Sequence, residues 1–115
     1  MFAGKEVRVL LREQAKESFM ILKQRNDKEA HALLRSIQQK IEILKINPQY
    51  GDPIKKELIP KEYLTRGITN LNRIELSHFW RMLYTIEGNK IDIFVFILSI
   101  SDHPTYNKIF GYRKR

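Results

Sequence analysis

The sequence predicts an α+β domain in which an N-terminal strand and an antiparallel helix hairpin pack on one face of a small, mainly antiparallel sheet, in the order β-α-α-β-β-β. Three observations carry that prediction. Apolar residues alternate over residues 6–11 (EVRVLL), recur at helical spacing over residues 12–46, and return to a period of two beyond residue 71.

In the first stretch Val7, Val9 and Leu11 line one side of a short strand. In REQAKESFMILKQR, Ala15, Phe19 and Leu22 fall at i, i+4 and i+7, the spacing of one helix face. Asn26 and Asp27 interrupt that pattern and offer a cap for a second helix. Its stripe is Ala30, Leu33, Leu34, Ile37, Ile41 and Leu44, and Asn47-Pro48 ends it, because a residue before proline is pushed out of the helical region. An irregular insertion at about 48–71 follows, punctuated by Pro and Gly, with one helical turn near Lys61 to Thr65. Residues Asn72 to Leu76, Phe79 to Ile86 and Lys90 to Ile100 then read as three strands.

The last two strands are joined by Glu87-Gly88-Asn89-Lys90, whose Gly-Asn centre suits a two-residue hairpin turn. Pairing Glu87 with Lys90 opposes 86 with 91, 84 with 93, 82 with 95 and 80 with 97. One face is then Trp80, Met82, Tyr84 and Ile86 against Ile91, Ile93, Val95 and Ile97, the face for the helices to cover. The other sets Phe79, Arg81, Leu83 and Thr85 beside Asp92, Phe94, Phe96 and Leu98, with Arg73 and Glu75 on the preceding strand. The expectation is an open, cationic, aromatic-lined surface opposite the helices.

Bulk composition fits one soluble globular domain over residues 1–115, with 43% hydrophobic and 30% charged residues. No apolar run approaches the roughly 18 residues of a membrane-spanning helix, and the N-terminal segment is too charged for a secretory signal. The absence of cysteine excludes thiolate and disulfide chemistry and fits a cytoplasmic protein. No His, Cys or Asp cluster has zinc spacing and no glycine-rich loop precedes a helix, so neither a metal nor a cofactor is expected. The formal charge of +8 favours a polyanionic partner. After Asp102 there is no acidic residue, while His103, Lys108, Arg113, Lys114 and Arg115 all follow.

Within FWRMLYTI, at residues 79–86, Arg81 is a permanent charge among large apolar side chains, so it must be paired, exposed or employed. This strand, the strand Arg73-Ile74-Glu75-Leu76 and the segment SISDHPTYNKIFGY together resemble the RelE/ParE superfamily of toxin–antitoxin modules. The matching places there are a basic or polar strand, an aromatic-Arg-aliphatic-aliphatic-Tyr strand, and a terminal segment with His or Arg before an aromatic. The insertion LIPKEYLTRGITNLNRIEL looks like that of an archaeal-type branch. The resemblance implies a small basic ribonuclease, a toxin that cleaves messenger RNA, often on the ribosome, without a cofactor. It implies silencing by an acidic, partly disordered antitoxin, with the toxin a monomer alone or part of a hetero-oligomer. Related members of the superfamily poison DNA gyrase instead, which leaves a non-catalytic nucleic-acid-binding or inactive relative as the alternative.

Cleavage of RNA by its own 2′-hydroxyl needs a base on that hydroxyl, cationic donors on the phosphoryl oxygens, and an acid on the departing 5′-oxygen. Arg81 fits the donor role, with a planar fork on a rigid strand; its alternative is an ion pair with Glu75 or Asp92. His103, past the last strand, can transfer protons near neutral pH, or Asp102-His103-Pro104 is simply a turn. Arg73 matches a basic position of the ribonucleases, and Glu75 stands where a second lysine would be, a departure that suits a general base or a non-catalytic protein. Tyr106 is a candidate for orienting phosphate or base, as is Phe110, whose alternative is to anchor the tail. His78, Phe79, Phe96, Lys108, Tyr112 and Arg113 complete the expected RNA contacts.

Overall fold

The computed structural model describes residues 1–111. Strand β1 (Glu6–Leu11) has the expected bounds and is followed by helices α1 (Glu13–Gln24) and α2 (Lys28–Ile46). Asp27 caps α2 by accepting from the Ala30 N–H at 3.3 Å, and Asn47 closes it by donating to the Ile43 carbonyl at 2.8 Å. Arg25 bridges Asp27 and Glu29, at 2.7 and 2.8 Å, and its hydrogen bond holds the Asp27 carboxyl below the usual range.

Within the insertion lie a two-residue strand β2 (Asp52–Pro53), a 3-10 turn at Lys56–Leu58 and the one-turn helix α3 (Lys61–Leu64), which falls where one turn was expected. Strand β3 (Asn72–Glu75) leads through a 3-10 corner at Ser77–Phe79 into β4 (Arg81–Gly88), then β5 (Asp92–Ser101) and helix α4 (His103–Ile109). Among the described residues the strands form one sheet in the order β1-β5-β4-β3-β2, with β1 parallel to β5 and the other pairs antiparallel. The architecture is the expected α+β one. The helix hairpin buries Ala15, Leu22, Ala30, Leu33, Ile37 and Leu44 against Ile74, Met82, Tyr84, Val95 and Ile97 of the sheet. Each fully buried aliphatic side chain of this kind contributes about 1.5–3 kcal/mol relative to exposure.

The hairpin register differs from the expected one. Ile86 pairs with Val95 and Tyr84 with Ile97, so each partner lies four residues further along β5. The cause is Asn89. Its side-chain oxygen accepts from the N–H groups of Ile91 and Asp92, at 2.8 and 2.7 Å, and its own N–H donates to the Asp92 carbonyl at 2.9 Å. That Asx-type turn widens the loop and leaves Ile91, expected in the core, 75% exposed. Because the slip is even, Met82, Tyr84, Ile93, Val95 and Ile97 keep their inward faces.

A bulge then inserts Leu98, since Tyr84 faces Ile97 while Leu83 faces Ser99. Past it, Ile100 joins the core, and Ser99 and Ser101 oppose Leu83 and Arg81. In the expected register Arg81 would have faced Phe96, seven residues before His103 and some ~20 Å from it at strand rise. With Ser101 opposite Arg81, the chain brings His103 alongside.

The surface opposite the helices is not open along its length. Ile59, Tyr63, Ile68 and Leu71 from the insertion and Tyr106 from α4 bury Leu83 and Leu98 in a second cluster, with Phe96, Ile109 and Phe110 packed on it. This burial pushes the Tyr63 phenol up to about 12. An Arg66–Glu13 ion pair ties the insertion to the start of α1. At the end of this face where β3, β4 and α4 meet, Glu75 and His103 stay exposed.

Candidate functional site

The site is built where β3, β4 and α4 meet. Glu75 and Arg81 are directly paired across β3 and β4, and their side chains share the face away from the helix hairpin. Asp102 caps α4 by accepting from the Thr105 N–H at 3.0 Å, with Pro104 in the first turn. Asp102-His103-Pro104, for which a plain turn was the alternative reading, therefore starts a helix that carries His103, Tyr106 and Asn107 together.

Arg81 is the hub. Its Nη1 donates to His103 Nδ1 at 2.8 Å, its Nη2 reaches Glu75 Oε1 at 3.5 Å, and its guanidinium carbon stands 4.9 Å above the Tyr106 ring. The side chain is 15% exposed, and its Nε is buried without a hydrogen-bond partner among the described residues. An arginine can only donate, so Nδ1 of His103 is the accepting nitrogen and the ring proton sits on Nε2. Asn107 Nδ2 stands 3.3 Å from that nitrogen.

Arg73 completes the cluster. It hydrogen-bonds Tyr106, which with the nearby carboxylates of Glu75 and Asp52 raises its proton affinity further. Its Nη2 also lies 3.8 Å from Asp52 Oδ2 on β2. The Tyr106 side chain, 3% exposed and tilted against Phe110 at 4.8 Å, thus serves both cations, its ring lying under Arg81 and its hydrogen bond going to Arg73.

All five expected catalytic side chains, Arg73, Glu75, Arg81, His103 and Tyr106, are brought together. Of Arg81's two expected partners Glu75 is in place, whereas Asp92 pairs with Arg8 at 3.3 Å. His78 and Phe79 lie beside the cluster at the 3-10 corner, on a cleft of about 390 Å³ lined by Glu75, Leu76, His78, Phe79, Trp80 and Arg81. Phe96 is not brought there, because the register slip sets it opposite Thr85, stacked on Phe94 and capped by Arg12 at 4.9 Å. Lys108 is exposed in the last turn of α4. Tyr112 and Arg113, with Lys114 and Arg115, lie outside the described residues. Two contributors were missed, Asp52 and Asn107. Asp52 sits in a strand too short for any periodic signal. Asn107 stands four residues after His103, a spacing that becomes a contact once Asp-x-Pro-Thr is read as a helix start.

The fold and site define a small basic α+β domain carrying an arginine held between a carboxylate and an imidazole. No family model, curated protein or solved structure matches the chain. Among the described residues no helix is long and apolar enough to cross a membrane.

Proposed function

We propose that this protein is a metal-independent endoribonuclease of the toxin type, cleaving messenger RNA by attack of the 2′-hydroxyl on its own phosphate. The single observation that supports it most is the Arg81 guanidinium, with a carboxylate on one amino group and an imidazole on the other. A phosphate drawn to that guanidinium has a proton acceptor and a proton donor on opposite sides, the arrangement an in-line displacement needs. The phosphate's charge turns Arg81 toward it, releasing Glu75 and leaving His103 Nδ1 open to a proton from water. Glu75 then takes the 2′-hydroxyl proton, the bond from phosphorus to O2′ forms, the bond to O5′ breaks, and His103 protonates O5′. Arg81 and Arg73 offset the charge that builds on the phosphoryl oxygens. The +8 charge gathers RNA to the surface, and binding weakens on added salt.

The same reading makes the partner an acidic antitoxin, with the working form cytoplasmic and acting on ribosome-held or free messenger RNA. A non-catalytic member of the same kind, binding nucleic acid or inhibiting gyrase, is the second reading. The contact of Glu75 with Arg81 favours it, since a carboxylate there competes with phosphate. RNA incubated with the protein, with and without ribosomes, separates the two. Cleavage by the native chain that an Arg81→Ala/His103→Ala double variant loses supports the nuclease, and intact RNA with inhibited supercoiling supports the alternative.

A further inference from the structure

The corner between β3 and β4 carries a feature that neither packing nor the catalytic roles account for. His78 and Phe79 both hold positive φ, at 57° and 62°. Histidine visits this region with some frequency, but for a bulky aromatic such as Phe79 it is an outlier that strains the backbone. The strain stabilises nothing locally, because the Phe79 ring is 79% exposed. Nor is the corner loose. The Leu76 N–H donates to the Trp80 carbonyl at 2.8 Å, the Trp80 N–H to the Ser77 carbonyl at 3.2 Å, and the Ser77 N–H to Ser36 Oγ on α2 at 3.3 Å. A pinned, strained turn thus holds a large ring in water at the rim of the 390 Å³ cleft that also contains Arg81. Strain retained at a fixed position beside a charged cleft marks a ligand contact.

We infer that Phe79 is a stacking platform for one unpaired nucleobase of single-stranded RNA, next to the phosphate that Arg81 holds. This deepens the ribonuclease reading and rests on it. A nucleobase is favoured because the cleft joins an exposed π-face to a cation two residues away, which is what one nucleotide presents in reverse: a flat ring joined to an anion. Duplex RNA keeps its bases stacked inside and cannot offer that ring, so the platform selects single strands.

The test is binding of a 2′-O-methyl oligonucleotide, which cannot be cleaved, as a single strand and as a duplex. Phe79→Ala is expected to weaken single-strand binding about 5- to 100-fold and Phe79→Trp to preserve it. One abasic position in the probe should lower native affinity by the same factor and abolish the difference between native protein and Phe79→Ala. Phe79→Gly, which relieves the positive φ, should melt at a higher temperature than the native chain while binding as weakly as Phe79→Ala. Unchanged affinity in Phe79→Ala, with Arg81→Ala weakened, overturns the platform, assigns the ring to a protein contact, and leaves the ribonuclease reading standing. An equal loss on duplex probe overturns it too. If Arg81→Ala also binds normally and native protein leaves RNA intact, both fall together.

Discussion

Replacing Tyr84 by phenylalanine removes one oxygen from the centre of the molecule and tests how the insertion is tied to the sheet. The Tyr84 side chain is fully buried, and burial pushes its phenol above the ordinary tyrosine range. Its hydroxyl donates to the Pro48 carbonyl at 2.8 Å and accepts from the Gly51 N–H at 2.9 Å. In Tyr84→Phe both backbone groups lose their partner, at about 1–3 kcal/mol for each one left buried. Pro48 is fully buried, while Gly51 is half-buried and regains some solvation, so the sum is about 2–4 kcal/mol. At about 4 °C per kcal/mol for a domain of this size, the melting temperature should fall by about 8–16 °C. The consequence reaches the site, because Gly51 precedes Asp52, which lies 3.8 Å from Arg73. Calorimetry on native and variant protein measures the shift. A change under about 2 °C would refute the claim that this hydroxyl staples the insertion to the core.

At Gly51 an added Cβ would stand 2.8 Å from the Arg73 carbonyl oxygen and from the Tyr84 ring, neither of which can yield, so Gly51→Ala should cost about 1–3 kcal/mol; an unchanged melt would count against the packing. Tyr106→Phe keeps the ring under Arg81 and drops the bond to Arg73, costing about 1 kcal/mol, whereas Tyr106→Ala empties a buried position at about 3–5 kcal/mol. Equal denaturation midpoints for these two variants would show that the ring is not a floor. Because Arg25 lowers the folded-state value of Asp27 below 3.8, the ionised carboxylate stabilises the fold above that pH, and the contribution is lost as pH falls through the lowered value. Asp27→Asn keeps a cap but not the charge, so its stability deficit at about pH 7 should shrink as pH falls below 3.8; a constant deficit would contradict the ion pair.

Periodicity made the strand β1, both long helices and the core faces legible, because one face of each is buried and repeats at 2 or 3.6 residues. Register was less legible. A Gly-Asn pair suits a tight turn, but the Asn89 side chain chose to cap two later N–H groups, and no pattern in the strands marks the Leu98 bulge. The far face was misjudged for a related reason. The insertion has no period, so Ile59, Tyr63, Ile68 and Leu71 gave no sign of forming a lid over Leu83 and Leu98. Arg73, Glu75 and Arg81 share the expected face because that depends on alternation along β3 and β4 alone, whereas His103 reaches Arg81 only in the shifted register of β5. Phe96 falls outside the cluster, since its expected neighbour depended on the register itself.

The most direct test of the central claim is the chemistry of the cut ends. Single-stranded RNA treated with the native protein in excess chelator should yield fragments ending in a 2′,3′-cyclic phosphate and beginning with a 5′-hydroxyl. A 2′-deoxy substitution at the cut nucleotide should stop cleavage there, and Arg81→Ala should slow it by about 100- to 1,000-fold. RNA left intact, or fragments bearing 3′-hydroxyl ends, would contradict the account.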